Sequence, residues 1–308
     1  MMKKEKKVFT IKPDKIPKVL LLGNGMLKLG NKGTSWDDLL KKIRNRPINP
    51  SALHNKVPYA MQPEALCGVN VEQIQRDVAN NINSLKEYHS LLKELLNLPF
   101  DAILTTNYTY EIEAVLSGKE WSGKQERLKA FTALDGNVKV NHNSFICNSV
   151  TTSDGRTIPV FHIHGEAARK HSMILSYYSY ANSLSRLVNY NKNVLGNALY
   201  EHQQEQKEYQ CRCWLDYFIL GDVWSVGFGL DVSEFDVWWA IERKAREKAV
   251  HGRFKAYFDG EPSGNTAQKL LLEAMDAEFK AIPVVENNYE KMYQSVISDI
   301  KLEMKKSR

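Results

Sequence analysis

The sequence predicts an α/β protein built on a doubly wound, mostly parallel β-sheet. Apolar runs of strand length recur along the chain, at residues 18–22, 100–105, 159–163, 222–226 and 254–258. The stretches between them carry helical periodicity, and strands separated by helices imply parallel βαβ units. The runs also end in glycine or small polar residues, which suit the strand ends where ligands bind in such Rossmann-like sheets.

The first element is Lys18–Leu22, KVLLL, an apolar run that stops at Gly23. A helix is expected over 35–43, where Ser35 and Asp38 have capping-box spacing and Trp36, Leu39, Leu40 and Ile43 share a face. Four prolines, Pro47, Pro50, Pro58 and Pro63, make 46–63 a loop. The longest helical pattern is 71–98, with Ile74, Val78, Ile82, Leu85, Leu92 and Leu95 at three- or four-residue steps. Strand 100–105 and helix 108–116 follow. Residues 121–150 are irregular and polar and are expected to form an inserted hairpin region. After the strand at 159–163, residues 179–210 read as a helical insert, a cap. Strand 222–226 leads to a helix over 233–249 with Ser233 as its N-cap. The alternation ends with a strand at 254–258, a helix at 266–277, an apolar run at 279–284 and a helix at 289–304 with Tyr293, Val296, Ile297 and Ile300 on one stripe. One domain is expected over residues 1–308.

Composition narrows the class. With 43% hydrophobic and 25% charged residues among 308, the chain is not disordered, collagen-like or a coiled coil. No apolar run approaches the ~20 residues of a membrane span. The basic Met1–Lys7 stretch lacks a following apolar core, so a cytoplasmic protein is expected. Four cysteines, Cys67, Cys147, Cys211 and Cys213, suit a reducing compartment. The net charge of +6 gathers partly at the two ends. No basic face interleaved with aromatics is evident, so direct nucleic-acid binding is not expected.

Candidate chemistry lies at the strand ends. Gly23-Asn24-Gly25 follows the first strand, with Gly30 and Gly33 further on; glycines there let backbone N–H groups approach a phosphate, and a plain strand-to-helix turn has the same composition. Thr105-Thr106-Asn107 follows the second strand, where Asn107 offers a donor and an acceptor to a ribose or a water or forms an Asx turn. His162 and His164 in VFHIHG are two apart, hence on one face if the strand continues. No acid or thiol near them in sequence completes a metal set, and a strand-end His164 before Gly165 suits a general base; a structural histidine is the other reading. Gly227-Phe228-Gly229 is a second glycine loop, followed by Glu234-Phe235-Asp236-Val237-Trp238-Trp239. Tyr257 and Asp259 close the next strand, where an aromatic and an acid could meet adenine and ribose.

The order GNG with Trp36-Asp37-Asp38-Leu39-Leu40, TTNY, HIHG and GFG resembles the sirtuin-like NAD-binding family over about residues 19–259, most closely its bacterial anti-phage-defence branch of NAD-consuming enzymes. The resemblance implies NAD as substrate. It implies Asn107 as the NAD-positioning asparagine, His164 as the catalytic histidine, and phosphate loops at Gly23–Gly25 and Gly227–Gly229. Two departures stand out. Cys211 and Cys213 are separated by one residue and Cys67 and Cys147 are isolated, so the zinc module of deacylating sirtuins cannot be built and no zinc is expected. Thr109 occupies the position of an acid in the family pattern, with Glu111 as its substitute.

The expected activity is an NAD glycohydrolase that depletes NAD in anti-phage defence. The alternatives are a non-catalytic NAD- or ADP-ribose-binding subunit of a defence complex, and a protein ADP-ribosyltransferase or deacylase. The resemblance implies a homo-oligomer, or a helicase-like ATPase or other defence partner, to control the activity. Segments 46–63 and 179–210 are long enough to cover the strand ends as a lid, the second being preferred.

Overall fold

The computed structural model describes residues 8–31, 35–54, 56–121, 130–134, 142–247, 252–260 and 266–306. Six parallel strands form its frame: β2 (Lys18–Leu22), β3 (Ala102–Thr105), β6 (Thr157–His162), β8 (Asp222–Val226), β9 (Phe254–Asp259) and β10 (Glu278–Ile282). They lie in the order β6-β3-β2-β8-β9-β10. The chain thus builds outward from β2 to one side, returns, and builds outward from β8 to the other. This is the doubly wound arrangement, and its switch point falls between β2 and β8.

The strands read as continuous apolar runs because both faces of the sheet are covered. Val19, Leu21, Ala102, Leu104 and Phe161 point into one core with helices Trp214–Leu220 and Phe235–Arg246. Leu20, Leu22, Ile103 and Val160 point into the other with helices Ser90–Leu96, Glu111–Ser117 and Tyr289–Lys306. Tyr293, Val296, Ile297 and Ile300 lie on the buried stripe of the last helix, as their spacing predicts. Ser35 caps helix Trp36–Ile43 by accepting the Asp38 N–H.

Four expectations need correction. The 71–98 pattern is two helices, Val71–Asn81 and Ser90–Leu96. No glycine or proline breaks it. Instead Ser84 Oγ accepts the Tyr110 N–H and the Leu85 N–H goes to Glu111, so the intervening backbone serves the start of the next helix. The apolar residues on the two sides serve different cores: Ile74 and Val78 pack with Leu39 and Leu40, Leu92 and Leu95 with the sheet. Second, the region at 121–150 carries the antiparallel strand pair expected of a hairpin, but it is not a separate insertion: it extends the sheet itself. β5 (Ile146–Thr151) pairs antiparallel with β6, and β4 (Phe131–Ala133) with β5; 122–129 and 135–141 lie outside the described residues.

Third, 179–210 is not a cap laid on the domain. Helix Tyr177–Tyr190 runs through a π turn, Asn191–Leu195, into Gly196–Gln204, and Leu187, Tyr190, Leu195 and Leu199 belong to the main core. Tyr190 donates its hydroxyl to buried Asp216 at 2.8 Å, and the chain then forms β7 (Tyr209–Gln210), paired with β1 (Thr10–Ile11). Fourth, Glu234 rather than Ser233 is the N-cap of helix Phe235–Arg246. Ser233 is used otherwise: its hydroxyl donates to Asp231 and accepts the Ala60 N–H. Gly33 and the basic N-terminal run Met1–Lys7 lie outside the described residues. No described helix is long and apolar enough to cross a membrane.

A buried lysine finishes helix Trp214–Leu220. Lys244 Nζ donates to the carbonyls of Phe218, Ile219 and Gly221 at 3.1, 2.8 and 2.6 Å, satisfying acceptors that a helix end leaves open. Lys244→Met should keep the stem and orphan these carbonyls. Its unfolding free energy should fall by roughly 1–3 kcal/mol in urea titration; an unchanged midpoint would show that the ammonium is not the cap.

Candidate active site

The two glycine loops at the switch point lock together through their backbones. The Gly23 N–H donates to Val226 O at 3.0 Å and the Gly25 N–H to Gly227 O at 2.8 Å. A Cβ on Gly23 would lie 2.4 Å from Gly227 O, and one on Gly25 would lie 2.6 Å from the Tyr293 hydroxyl. Gly227 has φ +63°, a conformation that favours glycine. The expectation that these glycines offer their amides to a phosphate is therefore corrected for Gly23 and Gly25, whose N–H groups are engaged by the facing loop. Gly229 differs: its Cα faces open space.

A cleft of about 1160 Å³ opens above this junction, larger than the ~300–1,000 Å³ typical of small-ligand sites. It brings together Asn24, Gly25, Thr106, Asn107 and His164 with Gly227, Phe228, Gly229, Tyr257 and Asp259. Of the residues assigned to catalysis or NAD binding, Gly23 is the one not on its wall among the described residues. Asn107 and His164 mark the β3–β6 end, Tyr257 and Asp259 the β9 end.

Asn107 is fixed from three sides. Its N–H donates to Thr105 Oγ1, its Nδ2 to Gly23 O at 3.3 Å, and its carbonyl accepts from His162 Nδ1 at 2.7 Å. Thr105 in turn donates to Leu22 O, tying this turn to the neighbouring strand. His162 is thus a structural histidine. Its Nε2 meets Glu113 at 2.8 Å, and Tyr110 packs edge-on against the ring.

The two histidines do not share a face. β6 ends at His162, and the chain turns through Gly165 at φ +92°. His164 then faces helices Tyr177–Tyr190 and Phe235–Arg246. Its Nε2 lies 3.2 Å from Asp236 Oδ1 and 3.6 Å from Glu234 Oε2, and Tyr180 packs edge-on at 5.3 Å. Tyr180 donates its hydroxyl to Glu234, and Ser183 donates to Asp236. Neither acid lies near His164 in the sequence. The signal was Glu234-Phe235-Asp236, two acids opening a helix just after a glycine loop on the same sheet edge.

His164, Glu234 and Asp236 are the one group of three metal-ligand side chains found among the described residues, with ligand atoms within 4.8 Å of one another. The four cysteines contribute to no such group. The donors of this trio are occupied by each other, by Tyr180 and by Ser183, an arrangement suited to holding a proton.

Glu111 lines the cleft while almost fully buried, and burial raises its carboxyl above the usual range, with Thr109 countering in part. Its Oε1 accepts the Leu85 N–H, and its Oε2 has no geometric hydrogen-bond partner among the described residues. At the other end Tyr257 donates to Asp299, so its ring serves as wall and its hydroxyl is turned away from a ligand. Asp259 accepts from the Tyr289 hydroxyl at 3.0 Å. Of the two covering segments, the proline-rich one reaches the cleft with Tyr59 and Ala60, while the helical one contributes Tyr180 from an anchored helix. The preferred lid is therefore corrected: 179–210 is built into the core.

No protein-family model and no curated protein sequence matches this chain.

Burial alone would lower both histidines. For His162 the charge and hydrogen bond of Glu113, with Glu166 behind, reverse this and carry it up to about 9. For His164 the charges of Asp236 and Glu234 and the Asp236 hydrogen bond do the same, again to about 9. A free histidine titrates near ~6.5. The stability from these pairs is therefore complete below pH 6.5 and is lost as pH rises through about 9. Urea midpoints should fall across that window, and His162→Gln should flatten part of the fall. A midpoint constant from pH 6.5 to 9 would show that neither imidazole is held charged.

Proposed function

We propose that the cleft binds NAD and hydrolyses its nicotinamide N-glycosidic bond, giving nicotinamide and ADP-ribose. One observation carries this reading: Asn107 and His164 stand together at neighbouring strand ends, inside a cleft that straddles the switch point where doubly wound sheets bind dinucleotides. The motif order that resembles sirtuin-like NADases runs along the same strand ends.

The C1′–N bond breaks with its electron pair going to the nicotinamide ring, which leaves neutral, so no general acid is required. Water adds to C1′ and loses a proton to a base. What the protein supplies is stabilisation of an oxocarbenium-like ribose and activation of the acceptor. In this reading Asn107 orients the ribose and the water, held by Thr105, Gly23 and His162 so that it loses little freedom on binding. His164, once it has lost its own proton, takes one from a ribose hydroxyl or from water, so nicotinamide release should rise with pH through about 9. Glu234 and Glu111 line the same cleft and offer carboxyl groups, both raised by burial, to the developing cation. Asp259 and Tyr289 offer an acceptor and a hydroxyl to the adenosine end. The resemblance adds an anti-phage setting in which a homo-oligomer, a helicase-like ATPase or another defence partner restrains the enzyme, and the proline-rich 46–63 segment is the part placed to respond.

Purified protein incubated with NAD should release nicotinamide. Asn107→Ala and His164→Ala should each lower that release by about 10²–10⁴-fold while keeping a native circular-dichroism spectrum. Wild-type release by either folded variant overturns the assignment.

A further inference from the structure

We propose that Asp236 is a positioning residue for this site: it accepts the Nε2 proton of His164, so that Nδ1 is the nitrogen left to take a proton in the cleft. The inference rests on the NAD-cleaving reading for its consequence, and on the geometry alone for the pairing.

Three observations support it. The Nε2–Oδ1 distance is 3.2 Å and both side chains are essentially sealed from solvent, so the contact is protected from competing water. Asp236 cannot swing away, because Ser183 Oγ donates to its Oδ2 at 3.2 Å and the Val237 N–H to its Oδ1 at 3.0 Å. Finally, His164 lines the cleft, and its Nδ1 has no hydrogen-bond partner among the described residues. An imidazole bound through one nitrogen by a fixed carboxylate has its tautomer set at the other.

Glu234 has a different part. It is 3.6 Å from Nε2, accepts the Tyr180 hydroxyl and reaches the cleft wall, so it contributes charge without fixing the tautomer. The other titratable groups around the pair are Tyr180 and Tyr108, both neutral and raised by burial, Asp231, an acid on the cleft wall beside Glu234, and His142, which burial and nearby arginines push down to about 4. Of these only Asp231 is an anion, and it acts on Glu234 rather than on the ring. The carboxylates of Asp236 and Glu234 thus decide the protonation of the ring.

The test uses ¹⁵N-histidine NMR of the full chain, with the His164 signal assigned by its loss in His164→Ala. Wild-type protein should show an Nε2–H tautomer at high pH and a titration well above 6.5. Asp236→Asn should move that titration down by a pH unit or more and mix the tautomers. The acid limb of nicotinamide release should move down with it. The plateau kcat should fall by roughly 10²-fold or more, with KM little changed. Glu234→Gln should lower the limb less and keep the tautomer. An Nδ1–H tautomer or a titration near 6.5 in the wild type overturns the pairing without any variant. So does an Asp236→Asn protein whose tautomer and acid limb are unchanged. If the wild type releases no nicotinamide, the NADase reading fails and the spectrum still decides the pairing.

Discussion

The structure depends on one contact: the backbone of the loop after β2 lies directly against the backbone of the loop after β8. Two hydrogen bonds close that junction, and three glycines allow it. A side chain at Gly23 or Gly25 would wedge the two halves of the sheet apart at the switch point. Both loops then place their remaining residues on one cleft wall. Asn107 is registered to the same junction through Gly23 O, so the polar end of the site inherits its position from the glycine contact.

Around that junction the protein buries charge in pairs. His162 with Glu113 and His164 with Asp236 are built from histidines two positions apart in one short segment, yet point to opposite surroundings. The first pair joins β6 to helix Glu111–Ser117 and braces the Asn107 carbonyl. The second joins the turn after β6 to helix Phe235–Arg246 and opens on the cleft. Identical residue types thus take a structural and a site role, and the divergence arises because the strand ends between them. Removing one partner of such a pair leaves a buried charge unmatched, which is why pairs of this kind are hard to dismantle singly.

The frame of the fold was legible because a sheet covered on both faces requires unbroken apolar runs, as in KVLLL. The candidate cleft was legible at the strand ends: Asn107, His164 and Gly227 come just after a strand and Asp259 closes one, and all four line the cleft. What escaped the sequence was set by tertiary contacts. The break in 71–98 has no breaker residue; it comes from Ser84 and Leu85 serving Tyr110 and Glu111. The 179–210 segment is polar at its end, which hid Leu187, Tyr190, Leu195 and Leu199 facing the core. Asp236 became a partner of His164 only once the sheet had brought β6 and the loop after β8 to one edge.

The antiparallel return of β5 beside β6 puts the Thr152–Arg156 turn at the opposite rim of the sheet from the cleft. The turn closes on itself, with Thr152 N–H on Arg156 O, Gly155 at φ +84° and Asp154 paired to Arg156. Here the polypeptide reverses direction with its ends already cross-linked and its tip in solvent. A fluorophore or affinity handle grafted at this tip would be carried by the rigid frame and kept a full strand length away from anything that enters the cleft.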